Sequence, residues 1–136
     1  MDSAELVDTY LRALETGDVG LAVGLFAPDN VVQSPLYGPL PAELFYPRLF
    51  ADTGSAVLTL RSVMRGADRN GAAVVSFWFH FDWRLPDGTP APFEVVDVAE
   101  LDEDGRIVRL SLIYDTVDVR PAFEKATGRR SWRAHD

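Results

Sequence analysis

The sequence contains no cysteine. That excludes a disulfide framework, a thiol nucleophile and a zinc ribbon, and it leans toward a reducing, cytoplasmic setting. Long apolar runs are also missing: nothing approaches the roughly 20 residues of a transmembrane helix. The opening Met1-Asp2-Ser3-Ala4-Glu5 is acidic and lacks the basic start and apolar stretch of a signal peptide. A soluble, cytoplasmic domain is therefore expected. Positive charge is scarce, with Lys125 the only lysine, and the formal net charge is -8. That balance argues against nucleic acid and against anionic membranes as partners. Histidine is limited to His80 and His135, which stand far apart without metal-ligand spacing, so no metal and no cofactor is expected. Gly17, Gly20 and Gly24 sit among helical residues and form no phosphate cradle. Asp102, Glu103 and Asp104 read as a solvated turn, not a calcium loop.

What is present fits one domain with a real core. The chain has 136 residues, 47% of them hydrophobic and 25% charged. Asp2-x-x-Glu5 resembles a capping box, followed by stripes of Leu6, Tyr10 and Ala13 beside Val7, Leu11 and Leu14. Gly17-Asp18 ends that helix, and a second runs from Val19 to Ala27, stopped at Pro28. A short strand is expected over Asn30–Leu36 and a third helix over Pro41–Phe50, interrupted or not at Pro47. The second half reads as four long strands: Ala56–Ala67, Ala72–Leu85, Thr89–Leu101 and Arg106–Val117. A two-residue turn at Asn70-Gly71, a three-residue loop at Pro86–Gly88 and a four-residue loop at Asp102–Gly105 join them. A terminal helix from about Asp118 to Gly128 closes a domain of residues 1–128, and residues 129–136 read as a frayed tail.

The third strand carries the feature of most interest. Alternation places Phe93, Val95, Asp97, Ala99 and Leu101 on one face, so a carboxylate sits among core residues. A dry site disfavours its charged form, and an acid kept protonated can donate a hydrogen bond. The turn lengths set Phe77 opposite Met64, Phe79 opposite Ser62, Asp97 opposite Phe77 and Leu110, and Phe93 opposite Phe81. One face then holds Leu58, Leu60, Met64, Phe77, Phe79, Phe81, Trp83, Phe93, Val95, Asp97, Leu110, Leu112 and Tyr114. His80, Trp78 and Asp82 point to the other, which makes His80 a surface or interface residue before it is a base. One error in loop length would flip a strand.

Tyr10–Asp18 with Leu25-Phe26-Ala27, then Ser34-Pro35-Leu36-Tyr37-Gly38, then Asp97–Leu101 running into Asp104-Gly105-Arg106-Ile107-Val108 resemble, in order and spacing, the NTF2-like (SnoaL-like) superfamily. The resemblance covers nearly the whole chain. It implies an α+β, cone-shaped fold with N-terminal helices packed in a strongly curved, mainly antiparallel sheet around an apolar pocket. Ketosteroid isomerases of this superfamily use a helix-one Tyr and a protonated strand Asp as an oxyanion hole, which by resemblance are Tyr10 and Asp97. Their general base lies where this chain has Ser34, and the acid of the cyclases and epoxide hydrolases lies where it has Leu112. Neither residue is a base at neutral pH. Asp115, three residues further on, points away and reads as structural.

Two functions follow. The first is a cyclase, isomerase or dehydratase acting on a hydrophobic carbonyl compound of polyketide, steroid or terpenoid kind, with Tyr10 and Asp97 as catalytic donors. Ser34, Phe26, Leu60, Met64, Phe77, Phe79, Phe81, Trp83, Phe93, Val95, Leu110, Leu112 and Tyr114 would form the pocket. The second is a non-catalytic protein that binds a hydrophobic ligand or serves as a dimeric scaffold. The outer face, with Trp78 and Val96 flanked by Arg61 and Arg109, suits a homodimer.

Overall fold

The computed structural model describes residues 1–133. Helix α1 (Ser3–Thr16) starts where the Asp2 carboxylate accepts the Glu5 N–H at 2.8 Å and ends at Gly17 in the left-handed region. Helix α2 (Val19–Val23) is capped in the same way by Asp18 and is shorter than its apolar pattern implied. Phe26 already belongs to strand β1 (Phe26–Ser34), with Pro28 in an irregularity between Phe26 and Val31 where a ladder donor is not needed. A turn leads into the short strand β2 (Gly38–Leu40), which sequence alone did not reveal. Helix α3 (Ala42–Ala51) runs through Pro47, and Asn30 of β1 caps its first amide at 2.8 Å. Strands β3 (Ser55–Ala67), β4 (Ala73–Arg84), β5 (Phe93–Leu101) and β6 (Ile107–Ile113) and helix α4 (Val119–Thr127) complete the chain.

The sheet has the order β2-β1-β6-β5-β4-β3. Every pairing is antiparallel except β1 with β6, so the meander is the expected one and β1 is stitched to its far end. Helices α1 and α3 fill the concave side of an open, bulge-bent sheet, which is the anticipated α+β cone. The core runs between them: Val7, Leu11 and Leu14 from α1, Phe45 and Leu49 from α3, and the inward residues of β4 and β5.

Two registers differ from expectation for one reason. The β3–β4 connection is a three-residue loop, with Asp68 paired to Ala72 and Gly71 left-handed at φ 90°, instead of a two-residue turn. That single residue sets Phe77 opposite Val63 and turns Met64 to the outer face opposite Ser76. A bulge at Arg61 then inserts another residue and restores the parity, so Leu58 and Leu60 face inward opposite Phe81 and Phe79. The β5–β6 loop errs in the other direction, one residue shorter than read, and a shift beside Glu100 compensates. Asp97 consequently lies opposite Leu112 instead of Leu110, on the expected face. Its partner on β4 is Phe77, as read from the sequence.

The C-terminal segment is not frayed as far as Arg133. Arg129 reaches the buried Asp52, and Trp132 N–H donates to the Leu36 carbonyl at 2.8 Å. Arg120 ties the segment down through Ser131 Oγ, the Trp132 carbonyl and the Pro35 carbonyl. The Trp132 indole covers Gly38, where a Cβ would sit 2.8 Å from Cδ1. His135 lies outside the described residues.

Candidate active site

Three elements meet at Asp97. The β5 alternation aims its carboxyl into the concave side, where it is 1% exposed. The inner stripe of α1 brings Tyr10 against it, and the Phe45-Tyr46-Leu49 face of α3 brings Tyr46. The Tyr46 hydroxyl donates to the Tyr10 hydroxyl at 3.0 Å, and Tyr10 in turn interacts with the Asp97 carboxyl. Tyr10 packs edge-on against Phe77 and against Tyr46, which fixes the direction of its hydroxyl. Burial pushes the Asp97 carboxyl well above the usual carboxylate range, opposed only in part by the Tyr10 hydrogen bond. Burial likewise raises both tyrosines, with the neighbouring Asp97 adding to the effect, so neither hydroxyl ionises near neutral pH. Among the described residues, Oδ1 of Asp97 is a buried oxygen with no hydrogen-bond partner. Such an atom is costly to bury and is uncommon in folded proteins.

That carboxyl borders a cavity of about 30 Å³. Phe79, Phe81, Trp83, Phe93, Val95, Leu112, Tyr114 and Ser34 line it together with Tyr10 and Asp97. Five further lining residues, Leu14, Leu36, Tyr37, Phe45 and Leu49, were missed because they come from helix faces and a turn whose packing onto the sheet has no local signal. Other expected pocket residues lie elsewhere. Phe26, Phe77 and Leu110 are buried in the core outside the cavity lining. Leu60, on edge strand β3, is 39% exposed, and Met64 is 44% exposed on the outer face. The space holds about two waters, since one needs roughly 10–15 Å³. In this conformation it is too small for the steroid-sized body that the aromatic wall suggested.

The remaining polar groups are fixed by their neighbours. Ser34 Oγ accepts the Leu36 and Tyr37 N–H groups at 3.2 and 3.1 Å, closing the β1–β2 turn, and it lies against the Tyr114 hydroxyl. Burial raises Tyr114 above the ordinary tyrosine range despite Ser34. Among the described residues no histidine, lysine or second carboxylate lines the cavity. His80 is on the outer face, where Glu94 accepts hydrogen bonds from Arg61 and Trp78 and contacts the His80 ring. Chiefly through Arg61, Glu94 is held down at about 2. Asp115 is exposed and accepts the Val117 N–H at 2.9 Å, a turn contact. Among the described residues no group of three His, Asp or Glu side chains is placed to hold a metal ion.

Asp97, Tyr10 and Tyr46 thus form one buried, hydrogen-bonded polar cluster against a mostly apolar cavity wall. The sequence profile of the SnoaL-like domain matches residues 7–110, most of the chain. The chain belongs to the SnoaL-like domain family. Solved structures agree on the fold. A protein with a ketosteroid isomerase-like fold from Catenulispora acidiphila, in complex with trimethylamine, superposes with a TM-score of 0.73 at 15% identity, over 87% of this chain and 91% of that one. An LEH-like epoxide hydrolase from M. tuberculosis gives 0.67 at 19% identity, over 93% and 92%. The epoxide hydrolase/cyclase-like enzyme SalBIII, of pyran ring formation in the polyether salinomycin, gives 0.67 at 18% identity, over 85% and 92%. Identities this low carry the SnoaL-like architecture and no chemistry. The roles of Tyr10, Tyr46 and Asp97 rest on their own geometry.

Proposed function

We propose that this SnoaL-like protein is a small-molecule isomerase, cyclase or dehydratase whose substrate is a hydrophobic carbonyl compound. Protonated Asp97 donates to the carbonyl oxygen, the Tyr10 hydroxyl exchanges its hydrogen bond to Asp97 for one to the same oxygen as substrate enters, and the two hold the negative charge that develops on it. The orphaned Oδ1 of Asp97 carries this reading. A protonated carboxyl in an apolar cavity must point its hydrogen at an acceptor, and a substrate oxygen would supply one. Tyr46 acts as a positioning residue by donating to Tyr10, which leaves the Tyr10 proton directed away from Tyr46. Each such donor contributes about 2.7–4 kcal/mol where oxyanion-hole donors have been deleted. A substrate larger than about two waters enters only if the cavity wall shifts.

One observation favours the second reading, a non-catalytic ligand-binding protein. Among the described residues the cavity lining contains no group that is basic at neutral pH. A reaction here must take its base from water or from the substrate itself. Binding of a fluorescent naphthol separates the donor site from a featureless apolar pocket. An oxyanion site binds naphtholate and lowers the ionisation pH of the bound naphthol, an effect lost in both Tyr10→Phe and Asp97→Asn. Weak binding that neither substitution alters rules the site out. Turnover of cyclic ketones or polyketides then decides between enzyme and binder.

A homodimer through the outer face belongs to the same proposal. It is supported by Trp78 and Ile113, which are 42% and 59% exposed there, and by the ion pair of Arg61 with Glu94. Sedimentation of the wild type beside Trp78→Lys tests it. Among the described residues no helix is long and apolar enough to cross a membrane. The cytoplasmic location remains an expectation from the sequence, to be checked by cell fractionation.

A further inference from the structure

Leu36 and Tyr37 form a partition with a space on either side. Inside is the small cavity of Asp97; outside is a hollow of about 420 Å³ beneath the C-terminal segment. Arg48 on α3, Arg129 and Arg130 beyond α4 and Trp132 are among the residues that line the outer hollow, and no carboxylate among the described residues lines it. Of these arginines Arg48 is the one on which the argument rests, in a chain with a formal net charge of -8. Arg129 is partly neutralised from beneath by Asp52, which also accepts the Tyr37 hydroxyl at 2.6 Å. Arg48 is exposed and makes no ion pair among the described residues. The exposed Arg48 guanidinium is suited to a carboxylate through a forked hydrogen bond, and the Trp132 indole, over whose ring the Arg133 guanidinium lies at 4.1 Å, adds apolar surface to the same hollow.

We infer that this hollow binds the carboxylate end of an amphipathic ligand whose apolar body lies against the Leu36–Tyr37 partition. Resting on the oxyanion reading of the inner cavity, the inference assigns the substrate class: a hydrophobic carbonyl compound that also bears a carboxylate. The two spaces share Leu36 and Tyr37, so the carboxylate stays in the wet hollow while the rest of the molecule reaches inward once Tyr37 swings. The Asp52 bond to Tyr37 and Arg129 is the latch that this swing must break.

The test uses a matched pair of probes, naphthoate and its methyl ester, titrated against the full chain at low and high ionic strength. Quenching of Trp132 reports occupancy of the hollow, with Trp132→Phe as the blank. Naphthoate should bind roughly fivefold more tightly than the ester at low salt, as expected of one exposed charge pair. That preference should shrink with salt. Arg48→Gln should remove it, Arg48→Lys should restore part of it, and Arg69→Gln, on the hairpin loop at the opposite end of β4, should leave it intact. Equal affinity for the two probes, no binding of either, or a preference that survives Arg48→Gln overturns the inference. Asp97→Asn separates the two readings. If it changes the affinity of neither probe while the preference persists, the oxyanion reading fails and the carboxylate site stands.

Discussion

Replacing Asp97 by Val should make the protein more stable at neutral pH, and the gain should grow with pH. The carboxyl is 1% exposed, one of its oxygens has no partner among the described residues, and burial raises its pKa. An unsatisfied buried polar group costs about 1–3 kcal/mol, and exchange for an apolar group of similar shape removes that cost. The adjoining 30 Å³ can absorb the extra methyl volume, and the Tyr10 hydroxyl loses a partner, which returns part of the gain. A net stabilisation of about 1–2 kcal/mol at neutral pH follows. For a chain of this size that is about 4 °C in Tm per kcal/mol.

The pH dependence has a definite sign. The unfolded acid ionises near pH 3.9, whereas the folded one holds its proton to higher pH, so between those points the native state binds more protons. Wild-type stability from this group therefore falls as pH rises from about 4 to the folded pKa, at up to 1.36 kcal/mol per unit. Asp97→Val has no such slope. Urea unfolding of both proteins from about pH 4 to about pH 8 measures the gap directly. A gap that is flat across that range, or a variant less stable than wild type at every pH, would refute the claim that Asp97 is protonated and strained by burial.

Tyr46→Phe deletes the 3.0 Å donor to Tyr10; it should cost about 1 kcal/mol of stability and weaken naphtholate binding more than naphthol binding. Gly38→Ala combines a φ of 80° with a Cβ 2.8 Å from Trp132, so it should cost at least about 1–2 kcal/mol and raise the accessibility of the Trp132 indole to acrylamide. Glu94→Gln should remove an acid-sensitive component of stability. The Glu94 pKa is depressed to about 2, so its contribution is complete above the unfolded value near 4.3 and is lost as pH falls toward about 2. Acid titrations of wild type and variant, followed by circular dichroism, should therefore converge at low pH.

Much of the site could be read from residue order because the inward face of β5 depends on parity alone. Asp97 kept its face although its partner on β6 moved from Leu110 to Leu112, since a shift of two residues preserves sidedness. Met64 lost its face because Asn70-Gly71, the strongest short hairpin signal, here sits in a loop that also includes Arg69. The Arg61 bulge has no signature in sequence, yet it decides that Leu60 turns inward. Phe45, Tyr46 and Leu49 show helical spacing, but which of them meets Asp97 depends on how α3 docks on the sheet, and that has no local signal in the sequence. The role of Tyr37 was beyond reach for a different reason. Its partners Asp52 and Phe123, and the Arg129 that pairs with Asp52, lie far from it in sequence, and only the folded chain brings them together.

The parallel pairing of β1 with β6 has a kinetic consequence. The meander β3–β6 assembles through short hairpin loops, whereas β1 and its attached helices must close a loop spanning most of the chain. Non-local closures of this kind form late, because their entropy is lost before their contacts are gained. Asp97 stays wet until α1 and α3 arrive, so the cost of drying its carboxyl falls after the rate-limiting step. Raising pH through the titration window should then leave the refolding arm of a chevron plot almost unchanged and speed the unfolding arm, making the protein at alkaline pH one that folds as readily as before but lasts less long once folded.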